Sequence, residues 1–250
     1  MLVTALHDTW LKPSRAESTT IDKKEMHLLQ QGATYSVTKV GPLTKGHYLL
    51  TLDEPLQGFR EWYVYSPHVR IDGMPRGVSL DVPYHPQYDN AYEPNTSCFA
   101  TCASMAMAFY GVKPKRGYSL EDELFLYLQD NGLDRFSWAD IAYLLSQHGC
   151  IGTANMRGTF SDIRAALDAG YPVIFGTYFT HAGHIILIKG YDAHGLICHD
   201  PWGLALGGGQ YDFSTSGENA HYSWSLVAMN ASDVGGTDPS DLWIMPVRRA

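Results

Sequence analysis

Residues 95–110 read NTSCFATCASMAMAFY, and Gly111 closes the run. From Phe99 to Tyr110 the side chains are apolar or small at nearly every position, so a helix formed here is hydrophobic on all faces and must be buried. The chain is therefore expected to build its core around this one helix. The preceding stretch, residues 90–97 (NAYEPNTS), is polar and contains a proline, which places the helix start at Cys98. A thiol in that position sits at the positive end of the helix dipole beside unpaired backbone N–H groups, and both favour the thiolate. Cys98 is a candidate nucleophile.

Working outward, two segments open on capping-box variants, SLED at residues 119–122 and SWAD at 137–140, and end at Gly132 and Gly149. Each predicts a helix. A shorter helix is expected over residues 161–169, closed by Gly170. From Pro172 the pattern turns extended: PVIFGTYF, HIILIKGY, a turn at residues 192–195, and LICHD. Residues 223–229 and 242–247 are expected to return to the sheet. Helices followed by antiparallel strands give an α+β class. Upstream, residues 1–72 carry short β-rich runs (LVTAL, ATYSVTKV, HYLLTL, EWYVYS) punctuated at Lys45–Gly46 and Pro55–Gly58, as in a small antiparallel barrel or sandwich. Two glycines and a proline in residues 71–78 suit a linker. The expected domains are residues 1–72 and 73–250.

Nucleophilic catalysis by a thiol requires a base, and the base requires an orienting group. His184 opens an apolar strand directly after Gly183, and Asp200 ends the next strand before Pro201. A four-residue turn at 192–195 brings both to the same end of a hairpin. Strict pleating would put their side chains on opposite faces; a bulge, or an Asp200 just past the strand end, restores the pairing.

The chain has 250 residues, 45% hydrophobic and 18% charged, which is ordinary globular composition. With 18 Lys and Arg against 26 Asp and Glu, the net charge is −8, and no basic run offers a phosphate-binding surface, so nucleic acid is not an expected partner. No apolar run approaches the ~18 residues of a membrane span. The N-terminal stretch lacks the basic start, apolar segment and small-residue cleavage site of a secretory signal, so synthesis in the cytoplasm is expected. Four cysteines, Cys98, Cys102, Cys150 and Cys198, are too sparse for a disulfide scaffold and form no C-x-x-C pair, so reduced thiols are expected. Cys102, Cys150 and Cys198 read as core. His181, His184, His199, Asp200 and His221 lack an organising metal-ligand pattern, so no metal and no cofactor are expected. Three carboxylates in residues 233–241 match no calcium loop and read as a turn. The aromatic residues after position 202 read as core and surface filling, with a stacking cleft around Trp202 as the sharper alternative.

The ordered segments VPYHPQYDN, NTSCFATCASMAMAFYGV, GYPVIFGTYF and GHIILIKGYDAHGLICHDPWG, spanning residues 82–203, resemble papain-like cysteine peptidases of the bacteriocin-leader-processing type, in their bacterial and phage branch. The resemblance implies a papain-like peptidase domain with Cys98 as nucleophile, His184 as general base and then acid, and Asp200 orienting His184. Gln87 would be the oxyanion-hole glutamine, with Asn90 and Asn95 as further candidate donors. Trp202, His181 and Asn95 would contact substrate. In many relatives a glycine follows the nucleophile, where this chain has Phe99.

Residues 2–72 are similar to bacterial src-homology-3-like modules, which accompany cell-wall hydrolases. The segment SGENAHYSWS resembles phage-encoded members of the peptidase group. Together these resemblances imply a cysteine peptidase that cleaves peptidoglycan peptides, acting at the bacterial cell wall as a phage lysin or as a virion-associated hydrolase. The alternatives are a protein or leader-peptide processing peptidase, and a catalytically inactive binding module.

Overall fold

The computed structural model describes residues 1–44, 46–74, 77–231 and 241–250. The turn read at residues 233–241 lies, apart from Asp241, outside the described residues. The chain divides into two compact units, Met1–Ser79 with Tyr191–His194, and Leu80–Gly190 with Gly195–Ala250.

The first unit holds β1 (Leu2–Ala5), β2 (Thr9–Leu11), β3 (His27–Leu29), β4 (Thr34–Val40), β5 (His47–Leu56), β6 (Phe59–Tyr65), β7 (Val69–Ile71) and β8 (Val78–Ser79). Five strands form an antiparallel sheet in the order β6-β5-β4-β1-β7, and β2 pairs with β3. The alternation in HYLLTL puts Tyr48, Leu50 and Leu52 inside with Trp62 and Val64 from the facing strand. Gln57 and Gly58, at φ 53° and 84°, form the two-residue turn joining β5 to β6; positive φ at both central residues matches the strand twist.

In the second unit the run from Cys98 becomes α1 (Cys98–Phe109), with every residue from Phe99 to Met107 buried. α2 (Leu120–Asp130) and α3 (Trp138–Gln147) start where the capping signals predict: the side chains of Ser119 and Ser137 accept the N–H groups of Asp122 and Asp140. β9 (Cys150–Gly152) and β10 (Asn155–Gly158) precede α4 (Phe160–Asp168), whose Thr159 and Asp162 complete a reciprocal capping box. Then come β11 (Val173–Thr177), β12 (His184–Tyr191), β13 (Gly195–His199), β14 (Leu204–Gly207), β15 (Gln210–Asp212), β16 (Ala220–Ser223), α5 (Trp224–Asn230) and β17 (Leu242–Arg249).

The main sheet runs β10-β17-β11-β12-β13-β16, antiparallel in the pairings of β17 with β10 and β11, of β11 with β12 and of β13 with β16, with β9 also on β17. α1 packs between this sheet and the other helices through Ala103, Met105, Leu124, Leu144, Ile174 and Leu187. The class is α+β.

One expectation is corrected. Residues 224–230 are helical rather than extended: Ser223 accepts the Leu226 N–H at 3.2 Å as N-cap of α5, and only Val227 of the helix is buried. With one apolar anchor over seven residues, the helical period leaves little trace in the sequence. Among the described residues, no helix is long and apolar enough to cross a membrane.

Candidate active site

The fold brings Cys98, His184 and Asp200 together although the first two lie 86 positions apart in the chain. Cys98 is the first residue of α1 and is half-buried. The loop before it is held onto the first turn by Asn90, whose side-chain amide donates to Ser97 Oγ (2.8 Å) and Thr101 Oγ1 (2.9 Å). The Gln87 N–H donates to the Pro201 carbonyl at 2.8 Å, joining this loop to the segment just beyond Asp200. His184 begins β12, opposite Thr177 of β11, whose hydroxyl donates to the His184 carbonyl at 3.2 Å. The turn before it closes through Gly183, at φ 85°, with Thr180 Oγ1 donating to the Gly183 carbonyl at 2.7 Å.

Asp200 lies one residue past the end of β13, so pleating no longer dictates where its side chain points. Its Oδ1 sits 2.8 Å from His184 Nε2, with both groups buried. That contact occupies Nε2 and leaves Nδ1 as the ring nitrogen free to serve Cys98, which lines the same cavity wall as His184.

The protein-family model described as "Peptidase_C39 like family" matches residues 79–229, more than half the chain and all three of these residues. The chain belongs to this family. It is a cysteine peptidase. A solved structure titled "Crystal structure of an putative C39-like peptidase from Bacillus anthracis" is similar at 12% identity and a TM-score of 0.47, covering 70% of this chain and 100% of that one. No curated protein matches the chain significantly.

In this C39-like peptidase the electrostatics of His184 are set by a contest. Burial disfavours the imidazolium, but the adjacent Asp200 carboxylate, and after it the neighbouring Cys98, outweigh it and raise the His184 pKa to about 10. Asp200 is in turn held by more than His184. Oδ1 also accepts the Trp202 N–H at 3.0 Å, and Oδ2 accepts the phenols of Tyr211 (3.1 Å) and Tyr222 (2.8 Å). Charge-assisted bonds of this kind fix the carboxylate firmly. The Tyr211 ring also stands edge-on to the His184 imidazole, 5.9 Å between centroids. Burial beside the carboxylate pushes both phenol pKa values upward, so both tyrosines remain donors.

Sequence reasoning treated these tyrosines as filling, and the structure corrects that reading. The signal for Tyr211 is the triple glycine at residues 207–209, all with positive φ, which turns β14 back into β15 and delivers Tyr211 to Asp200. Tyr222 is brought by the pairing of β16 with β13.

Gln87 is buried on the loop before α1, and its amide nitrogen donates to the Pro94 carbonyl at 2.8 Å. Both amide hydrogens of Asn90 are used, on Ser97 before α1 and Thr101 within it, while Asn95 is exposed on the same loop. Trp202 enters the site through its backbone; its ring packs edge-on against Phe213 at 5.7 Å. His181 is exposed and lies against Gly209. Among the described residues, none of Gln87, Asn95, His181 and Trp202 lines the cavity over Cys98.

Cys102 is fully buried with its thiol toward the Ile185 carbonyl (3.4 Å), and all four cysteines are free. His199 is also buried. It holds the Val82 carbonyl at 2.8 Å through Nε2 and accepts the Asn219 N–H at Nδ1, and burial with nearby Lys189 lowers its pKa to about 3.

Proposed function

We propose that the C39-like peptidase hydrolyses amide bonds in peptides, with Cys98 as nucleophile, His184 as general base and acid, and Asp200 as the group that orients His184. The observation that supports this most directly is the chain of contacts from the half-buried Cys98 through His184 to a fully buried carboxylate. The Cys98 sulfur attacks the amide carbonyl, the C–N bond breaks, and the His184 proton passes to the leaving amine. Water, giving a proton back to His184, then attacks the thioester, releasing a carboxylate and restoring the thiol.

The backbone N–H of Cys98 and the loop carrying Gln87 are the proposed oxyanion donors. In the same reading, residues 1–72 form a src-homology-3-like module that takes the enzyme to the bacterial cell wall. Its five-stranded antiparallel sheet supports that reading.

The test is the alkylation rate of each cysteine by iodoacetamide across pH, with peptide mapping, in wild type and His184→Ala. The expected result is selective alkylation of Cys98 that depends on His184. Equal rates for Cys98 and the buried cysteines would point to a binding module instead. Product mass spectrometry, comparing wild type with Cys98→Ala, then separates muropeptide from polypeptide substrates.

A further inference from the structure

A cavity of about 530 Å³ lies between the loop before α1, helix α2 and the connection from α2 to α3, with Tyr92, Glu93, Phe125, Leu128, Asp134 and Arg135 in its lining. Its rings are ordered. Tyr92 stacks on Phe125 with centroids 6.1 Å apart and planes 5° from parallel. The Arg135 guanidinium stands 5.6 Å from the Phe125 centroid and 4.6 Å from that of Phe136, so aromatic neighbours hold it in place.

The protein itself makes little use of this cation. Arg135 Nη2 donates to Thr96 Oγ1 at 3.2 Å, while Nε is buried with no partner among the described residues. The Glu93 carboxylate stands 4.0 Å away, beyond hydrogen-bond range, on a side chain that is 59% exposed. Glu93 is held at φ 49°, a left-handed conformation that is costly for a non-glycine residue and recurs at ligand clamps. Asp134 is also exposed, with Oδ1 accepting the Phe136 N–H at 2.9 Å. Among the described lining residues these are the charged groups, one cation and two anions beside apolar Phe125 and Leu128.

A ligand that matches this set carries a carboxylate and an ammonium close together on an aliphatic stem. We infer that the cavity is a subsite for a free α-amino acid group at the end of a substrate side chain, with its carboxylate on Arg135 and its ammonium on Glu93 and Asp134. This deepens the proposed function and rests on it. The substrate is then a peptidoglycan stem peptide containing diaminopimelic acid, whose side chain ends in that group; no genetically encoded side chain does. The placement relative to Cys98 suits such a role. Thr96, which Arg135 contacts, lies two residues before Cys98, and two residues of chain span at most about 7 Å, so the cavity and the thiol are within reach of one short peptide.

The test titrates the full chain carrying Cys98→Ala, by calorimetry, with one stem peptide in alternative forms. The first contains meso-diaminopimelic acid; the second contains lysine, which lacks the side-chain carboxylate; the third contains α-aminopimelic acid, which lacks the side-chain ammonium. The first is expected to bind at least about tenfold more tightly than either of the others. Adding Arg135→Gln is expected to abolish the preference over the lysine form, and adding Glu93→Gln to reduce the preference over the α-aminopimelic form. Glu93 is exposed, so its replacement leaves the core untouched.

Equal affinities for the peptide forms, or a preference unchanged by both substitutions, overturns the inference. Absence of binding by every form overturns it too, and if Cys98 alkylation in the wild-type chain still depends on His184, the proposed mechanism survives that failure. If the preference and its loss in the variants are observed while alkylation is independent of His184, the subsite stands and the proposed mechanism falls.

Discussion

At the scale of single residues, the site is a balance between burial and charge. Asp200 is fully buried, and its charge is tolerable because donors surround it. Asp200→Asn is expected to lower kcat by about 10⁴, as when an orienting carboxylate loses control of the imidazole tautomer. Steady-state kinetics on a peptide substrate identified by product mass spectrometry would measure this, and a loss under tenfold would remove Asp200 from the mechanism.

Tyr211→Phe deletes one donor to Oδ2 and is expected to cost about 1.5–3 kcal/mol in denaturant unfolding, the range for a hydrogen bond to a charged group. It also concentrates negative charge on the carboxylate, so the alkaline limit of His184-dependent Cys98 alkylation should move upward. An unmoved limit would make Tyr211 a packing residue only. Cys98 was legible because a thiol at the start of a buried helix has a physical meaning. The tyrosines were not, because their role depends on where a glycine turn and a strand pairing bring them.

At the scale of elements, α1 carries both the core and the proposed nucleophile. Met105 is fully buried in the main cluster, so Met105→Ala is expected to destabilise the protein by about 2–5 kcal/mol. Chemical denaturation would test this; a cost below about 1 kcal/mol would mean that the helix surroundings collapse into the gap.

α1 to α4 could be read from the sequence because caps and glycine stops mark their ends. α5 could not, since its cap at Ser223 follows a strand directly and a single buried Val227 gives no period. The pairing of His184 with Asp200 was ambiguous in the sequence for a similar reason. Strand alternation extrapolates through Asp200, but the strand itself stops at His199.

At the scale of the whole molecule, two buried histidines act in opposite directions on stability. The His184 pKa, lowered by burial but raised on balance to about 10 by Asp200 and Cys98, with the Tyr211 ring edge-on beside it, means that the folded state holds a proton that the unfolded chain gives up near pH 6.5. Its stabilisation is complete below about pH 6.5 and is lost as pH rises through about 10. His199, faced by Lys189, His85 and the Val82 carbonyl, has its pKa lowered to about 3, so the unfolded chain takes the proton first as pH falls. Its contribution is present above about pH 6.5 and is lost toward pH 3.

Unfolding free energy measured across pH should therefore peak near pH 6.5. His184→Ala should flatten the alkaline side and leave the acid side in place. A His184→Ala curve with an unchanged alkaline fall would contradict the assignment. At this scale the sequence carried the α+β class and the order of the segments, because caps, periodicity and glycine stops are local signals. The sheet order that places β11 between β17 and β12 was not legible, since strand neighbours distant along the chain leave no spacing signal.

The Asp200 carboxylate ties together the start of β12, the segment after β13, and strands β15 and β16. Under the proposed mechanism, reactivity and mechanical cohesion of this half of the domain thus depend on the same two oxygens. Cys98 carries no such double duty: in the proposed mechanism its replacement removes the chemistry, and none of the hydrogen bonds to Asp200 runs through it. A lineage that abandons hydrolysis while retaining this fold for binding would accordingly give up the thiol first and keep the aspartate, so an intact aspartate alone does not diagnose an active enzyme.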